Sequence, residues 1–522
     1  MRLKIYFLYF LLGAAFLVLV FRLASLTIVQ GSSFRELAEG QRIRLHRLTA
    51  ARGMIFDRNG RPLVRNVPLY KRCHDGKCEV VGRDEALKLE SQNRDSDITL
   101  EVGREYLYSE ATAHLLGYLG EATDQEVKDG ETQIGQMLGR TGIEEQYELQ
   151  LRGKDGVELI EVDTRGETLR KIGRREPVPG KDIFLSIDIN LQKAAYEALG
   201  GKRGAVVVSD PRTGQILALV SSPSFDPNIL AGAEEVDTKK IEAIFTNPDK
   251  PLFNRAISGA YPPGSTFKIV VAAAGLEEEK ITKSTKMIDT GQIVIGPYKF
   301  ANWLFTRNGG TEGEINVVRA ITRSTDTFFY KLGELVGADD IVRWAETFGI
   351  GKAAGIDLTG EIDGFLPKPK EGEWFLGNTY HLSIGQGSLG LTPLQDNRMT
   401  DVVASGGKLC PVSVKVREPS ENSCQQLPIK QETLQIIKEG MIGACSPGGT
   451  AGVFFNFKPQ VACKTGTAEF DDPAGRTHAW FTSFAPLDSP QISVTALVEA
   501  GGEGSTVAAP IAKKVMEEYF RK

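Results

Sequence analysis

A chain of 522 residues is too long for one ordinary hydrophobic core, so two or three folded units are expected besides any tail or membrane segment. A net charge of −5 at pH 7, with acidic and basic residues well mixed, gives no electrostatic reason to expect nucleic acid as a partner. No RNP, zinc-finger or phosphate-loop pattern occurs either.

Residues 5–21 carry no charge, and apolar character resumes after Arg22 through Leu23, Leu26, Ile28 and Val29. This is a membrane-helix pattern, since spanning takes ~20 residues at ~1.5 Å each. A cleaved signal peptide would need small residues after its apolar run, whereas residues 18–23 stay bulky, so an uncleaved anchor is expected over residues 1–30. Arg2 and Lys4 precede the span, which puts the tip in the cytoplasm and everything after Gln30 outside it.

Residues 31–38 read as a capped helix leaving the membrane. A strand-like stretch follows at 51–56, and Asn59-Gly60 signals a tight turn. Arg42, Arg44, His46 and Arg47 alternate as one solvated strand face would. Short elements near 114–119 and a turn at 151–156 complete an elongated α+β module over 31–180 with no catalytic cluster. Six cysteines in an exported chain permit disulfides. Cys73 and Cys78 flank a turn composition, and Cys410 and Cys424 bracket an extended segment. Cys445 and Cys463 remain, placed to fasten a strand to the helix before it. A metal at Cys73-His74 lacks a second Cys/His pair at ligand spacing.

Prolines and a glycine at 177–181 mark a boundary, and residues 181–522 form the last unit. Residues 182–187 read as a strand, and a helix starts at Asn190. Two nearly continuous apolar strands, 204–209 and 215–220, are joined by the turn Asp210-Pro211-Arg212-Thr213-Gly214. Both faces of such a hairpin must be covered, so the fold class is α/β (α+β), an antiparallel sheet sandwiched by helices. A buried helix runs from Ser265 to about Glu277, and another spans 321–335 with Ser324-Thr325-Asp326 at its start. Residues 383–388 are a glycine-rich loop without the G-K-[ST] of a phosphate cradle. Residues 461–468 are a strand with Gly466 inside it, which implies close approach by another backbone, here expected to be substrate.

Ser265 carries the chemistry. Two prolines and Gly264 precede it, and a helix start surrounds a hydroxyl with unpaired N–H groups and positive dipole charge. Lys268 at i+3 shares its face and can act as base if its surroundings favour the neutral amine. Alone, S-x-x-K is weak. In one order, however, stand Ser265-x-x-Lys268, Ser324-x-Asp326 and Lys464-Thr465-Gly466, a trio that resembles the penicillin-recognising serine acyltransferases. Residues 52–60 and 139–144 resemble the non-catalytic pedestal of class B penicillin-binding proteins. Residues 205–228, Gly385-Gln386-Gly387 and Ala479-Trp480-Phe481 resemble their transpeptidase domain, and the Asp326 ending of the middle motif is similar to the elongation branch.

This resemblance implies a peptidoglycan D,D-transpeptidase of the bacterial cell membrane, acting in elongation and cell shape, with the domain on the extracytoplasmic side. Ser265 would attack the bond between two terminal D-alanines of a stem peptide, with Lys268 as base and Ser324 as proton relay. Asp326 would orient Lys268 or Ser324. Lys464 with Thr465 would bind the terminal carboxylate, Lys464 being read as an exposed strand lysine. Gly466 would let the peptide lie along the strand, and the N–H groups of Ser265 and Thr467 would hold the oxyanion. No cofactor is implied. Asp289, Asn302 and Thr325 stand where some relatives place a metal, and none is expected. The implied partners are donor and acceptor stem peptides, β-lactams, and a membrane-embedded glycan polymerase docked on the anchor and pedestal. A carboxypeptidase or β-lactamase shares the trio but needs a water-activating Glu in a loop, and no such loop is recognisable. A β-lactam sensor would carry a cytoplasmic domain, and a scaffold would have lost part of the trio.

Overall fold

The computed structural model describes residues 2–74, 77–91, 98–130, 132, 135–163, 168–231, 237–370, 372–417 and 423–521. The chain divides into two compact units, each built from three separate stretches. The first unit comprises Met1–Gly53, Val67–Gly103 and Arg152–Lys181. The second comprises Met54–Asn66, Arg104–Leu151 and Asp182–Lys522. Residues 31–180 are thus shared between the two.

In the first unit, Arg2–Val29 is a helix long and apolar enough to cross a membrane, and none of it is buried. A three-stranded antiparallel sheet follows, with Ile43–Leu48 beside Gly156–Val162 and that strand beside Thr168–Arg175. The basic strand is matched by acids on its neighbour: Arg42 pairs with Glu161, His46 stands opposite Glu158, and Arg47 meets Asp155 at 2.6 Å. Such pairs, with an arginine open to solvent, contribute about 0–1 kcal/mol each, so they serve register more than stability. Cys73 stands opposite Cys78 in the backbone register, and their side chains lie outside the described residues.

In the second unit, Ile55–Phe56 pairs in parallel with Ile183–Phe184, and the Asn59-Gly60 turn forms with Gly60 at φ +77°. From residue 182 onward this unit contains α1 (Ile189–Leu199), β1 (Gly204–Asp210), β2 (Gln215–Ser222), α2 (Lys268–Glu277), α3 (Val317–Arg323), α4 (Asp326–Val336), α5 (Pro393–Ala404), α6 (Gln431–Ala444), β3 (Ala462–Glu469), β4 (Thr477–Ala485), β5 (Ile492–Val498) and α7 (Ala508–Phe520). One antiparallel sheet runs in the order β2-β1-β5-β4-β3.

Alternation along the strands sends Val206, Val208, Phe481, Val494 and Ala496 to the face covered by α1 and α7. The opposite face, under α5, receives Thr482, Ser493 and Thr495, with Lys464 and Gly466 at its edge on β3. Residues 269–274 of α2 are all fully buried. At about 1.5–3 kcal/mol for each of the buried Ile269, Val270 and Val271 side chains, α2 is a fixed reference for whatever stands at its start.

The expected helix over 321–335 is two helices. Residue 321 belongs to α3, which ends on Ser324 in a left-handed conformation (φ +58°), and α4 begins at Asp326. The period is continuous across the break because both helices bury the same apolar face, so hydrophobicity alone could not reveal it. Among the described residues, disulfides join Cys410 to Cys424 and Cys445 to Cys463, the latter tying the end of α6 to β3.

Candidate active site

Ser265 sits in a tight 3-10 turn, Gly264–Phe267, one step before α2, rather than in its first α-helical turn. Gly264 makes that turn possible: its φ is +56°, and a Cβ there would lie 2.7 Å from Thr467 O. Ser265 is half-buried, while Lys268 below it is fully buried.

Ser324 joins the three motifs. Its carbonyl accepts from Lys268 Nζ at 2.9 Å, and its Oγ stands 3.3 Å from Lys268 Nζ and 2.9 Å from Lys464 Nζ. A left-handed backbone costs a non-glycine residue ~1–3 kcal/mol, and here it turns both serine oxygens toward the two lysines. Asp326 Oδ1 accepts from Lys268 Nζ at 2.6 Å, and its Oδ2 accepts from Trp303 N at 3.3 Å. The Trp303 indole donates to Arg323 O at 2.9 Å, which fixes the residue beside Ser324.

Lys464 departs from the expectation of an exposed strand lysine. It is fully buried, its Nζ directed to Ser324 Oγ and to Thr465 O at 2.8 Å, because even-numbered residues of β3 face inward. Thr465 is buried with its hydroxyl 2.9 Å from that of Thr450. Thr467 is exposed, and its hydroxyl accepts from Gly504 N at 3.4 Å. Gly466 is also used differently from the expectation: the backbone that closes on it is this chain's own. A Cβ there would lie 2.9 Å from Pro263 O and 3.1 Å from Thr266 Cγ2, so the missing side chain lets the Ser265 turn rest against β3.

Burial pushes Lys268 below its ordinary value, opposed by the charge and hydrogen bond of Asp326. Burial pushes Lys464 well below its own, and the charge of Lys268 lowers it further. The three acceptors around Lys268 Nζ match the three hydrogens of an ammonium. Of the two lysines, Lys464 is pushed further toward the neutral amine, while Asp326 supports the cation at Lys268, and Ser324 Oγ bridges them.

Asp289 accepts from Thr327 Oγ1, Gly291 N, Asn302 Nδ2 and Glu312 N at 2.6–3.0 Å. Burial alone would raise its carboxyl, but these four bonds hold it below the usual range. Its threonine partner is Thr327, not Thr325. Among the described residues no cluster of three or more His, Cys, Asp or Glu side chains is arranged to hold a metal. Sequence reasoning missed Trp303, Thr450 and Asp396, the last of which meets Thr266 beside Ser265 at 2.6 Å. The signal available for Asp396 was an acid amid the polar run 395–398, where a surface face is the ordinary inference.

Comparison with known proteins places these features in a family. The penicillin binding protein transpeptidase domain matches residues 204–517, and the penicillin-binding protein dimerisation domain matches 79–185. The chain belongs to the penicillin-binding protein transpeptidases. Within that family it is 32% identical to the peptidoglycan D,D-transpeptidase MrdA of Acinetobacter baumannii, over 99% of this chain and 87% of the relative. It is similar in structure, at TM-score 0.80 and 28% identity, to penicillin-binding protein 2 of Helicobacter pylori in its complex with MreC, covering 91% of this chain and 98% of that one. A chain of a peptidoglycan synthase complex described as coordinating polymerization and crosslinking matches at TM-score 0.80 and 30% identity, over 99% and 98% of the two chains.

Proposed function

We propose that the protein is an elongation-type peptidoglycan D,D-transpeptidase in which Ser265 is the nucleophile. The observation that carries this reading is the single hydroxyl of Ser324 within reach of both Lys268 and Lys464, which joins three sequence motifs separated by up to 199 positions into one proton path.

A donor stem peptide places its terminal carboxylate at the hydroxyls of Thr465 and Thr467, on the strand edge. That negative charge favours the ammonium form of the buried Lys464. A proton then passes from Lys268 through Ser324 Oγ to Lys464, leaving Lys268 neutral. Lys268 takes the hydroxyl proton of Ser265 as Ser265 Oγ attacks the carbonyl between the two D-alanines. The N–H groups of Ser265 and Thr467 receive the oxyanion, contacts worth ~3–4 kcal/mol where one has been removed in other enzymes. The C–N bond breaks, Ser324 delivers a proton to the departing D-alanine amine, and an ester remains on Ser265. The amine of an acceptor stem peptide attacks that ester, and the proton it sheds restores the Ser265 hydroxyl. A β-lactam follows the first half of this path and stops at the ester.

Arg2–Val29 anchors the chain in the bacterial cell membrane, with its first residues in the cytoplasm and the catalytic half outside. The anchor and the pedestal dock a membrane-embedded glycan polymerase, which places the site where nascent strands emerge. The complexes formed by similar chains, one with MreC and one that couples polymerization to crosslinking, support this role.

Intact-mass measurement after penicillin treatment is expected to show one adduct that vanishes in Ser265→Ala, and incubation with stem-peptide dimers is expected to yield crosslinked product. An adduct that persists in Ser265→Ala refutes the nucleophile assignment. Hydrolysed peptide without crosslinks would identify a carboxypeptidase instead. Co-purification with the polymerase is expected to fail when residues 1–30 are removed or 67–103 replaced by a linker, while penicillin labelling continues.

A further inference from the structure

The face of α5 turned toward the sheet is polar although it is buried. Asp396, Asn397, Thr400 and Asp401 are all inaccessible there. Asn397 donates to Ser493 Oγ at 2.8 Å, the hydroxyls of Thr400 and Thr482 meet at 2.6 Å, and Ser209 donates to Asp401 at 2.7 Å. Asp396 is the member of this layer that reaches the nucleophile's turn.

A count of hydrogens favours the protonated form of Asp396. The Thr266 hydroxyl has one hydrogen, yet its oxygen lies 2.6 Å from Asp396 Oδ1 and 3.1 Å from Pro263 O. An ionised Asp396 would take that hydrogen and leave Pro263 O without it. A protonated Asp396 donates its own hydrogen to Thr266 Oγ1, which frees the Thr266 hydrogen for Pro263 O, and both contacts are made at once. Asp396 Oδ2 is buried without a hydrogen-bond partner among the described residues, a costly place for carboxylate charge and a tolerable one for an acid's carbonyl.

Burial pushes the Asp396 carboxyl up to about 7, against the hydrogen bond from Thr266 and the charge of Lys464 on β3. Asp210 of β1 and Arg398 act on Asp401, further along α5. β5 has no ionisable side chain, and His478, the ionisable residue of β4, stacks on Phe470 at the start of its strand.

We infer that Asp396 is a positioning residue for acylation: as the neutral acid it donates to Thr266 and leaves the Thr266 hydrogen to hold Pro263 O in the turn that carries Ser265, whereas ionised it draws that hydrogen away and loosens the turn. The inference rests on Ser265 being the nucleophile. It makes the buried polar face of α5 part of the reaction's control, although Asp396 touches no substrate.

The test is the rate of labelling of the full-length protein by a fluorescent penicillin at about pH 6 and about pH 8.5, where a group titrating near 7 is mostly protonated and mostly ionised. Asp396→Asn keeps a donor toward Thr266 but cannot ionise. Its rate relative to wild type is expected to rise about fivefold between the two pH values, the effect of one hydrogen bond. Thr266→Val removes the hydroxyl through which Asp396 acts, and is expected to be slower at both pH values and to lack that component of the pH dependence. Parallel profiles for wild type and Asp396→Asn overturn the inference, as does a wild-type profile in Thr266→Val. Ser265→Ala serves as the control: labelling that persists there refutes the nucleophile assignment itself, whereas its loss together with parallel profiles refutes the role of Asp396 alone.

Discussion

Gly466→Ala is the sharpest test of how Ser265, the proposed nucleophile, is held. The new methyl carbon would stand 2.9 Å from Pro263 O, 2.9 Å from Trp480 Cβ and 3.1 Å from Thr266 Cγ2, against ordinary contacts of about 3.5–4 Å. Relief therefore requires a retreat of about half an ångström on at least two sides. Trp480 cannot supply it cheaply, because its indole donates to Pro262 O at 2.9 Å and so is tied to the same turn. The turn that bears Ser265 must move away from β3 instead. Overpacking of this kind costs about 1–3 kcal/mol, a fall of a few degrees in Tm for a unit of this size. The rate of acylation is expected to fall further, by about tenfold to hundredfold, because attack tolerates little misplacement of the reacting oxygen. Time-resolved labelling with a fluorescent penicillin, beside a melting curve of the same sample, separates the two effects. Labelling within about twofold of wild type, or a loss no larger than the fraction unfolded, would refute the reasoning.

Lys464→Met replaces a fully buried amine by an apolar chain of similar length, so acylation is expected to fall at least about a hundredfold while Tm stays level or rises. A large drop in Tm would show that Lys464 mainly holds the strand. Asp326→Asn removes the charge that supports the Lys268 cation, so Lys268 loses its proton more readily and the acidic limb of the pH–acylation profile is expected to move to lower pH. An unmoved limb, or one moved upward, contradicts the pairing. Replacing Cys445 and Cys463 together by serine opens a link between positions 18 residues apart and is expected to lower stability by about 3 kcal/mol, read by chemical denaturation. Equal denaturation midpoints would show that packing of α6 on β3 suffices.

The parts of this molecule that were legible in its sequence are those governed by local pattern. The hairpin of β1 and β2 and the apolar run of α2 follow from periodicity and turn residues, and both form as expected. The three motifs announced the chemistry because spacing fixes which residues share a turn. Placement across long distances was not legible. Lys464 reads as an ordinary strand lysine until β4 and α5 cover it, and Asp396 reads as helix surface until hydroxyls from three strands line the sheet beneath it. The break at Ser324 escaped because two helices with a common buried face share one hydrophobic period. The close contact at Gly466 was visible as a missing side chain, but not the identity of the backbone that fills the space.

The interleaving of the two units has a consequence for how the chain is made. Ile55, Leu63, Leu115 and Ile143 belong to one core with Ile183, Leu185, Val207 and Leu219. None of these early residues can be covered until the later ones leave the ribosome. At ~5–20 residues per second, the interval between Ile55 and Ile183 lasts on the order of ten seconds. Throughout it the nascent chain shows apolar segments whose partners do not yet exist, so a holding chaperone matters most while roughly the first third of the chain is being made. A cut at residue 181, natural or engineered, would leave the catalytic half without the strand Ile55–Phe56 and the helices of 104–151, and would yield a fragment that seeks other apolar surfaces rather than a smaller enzyme.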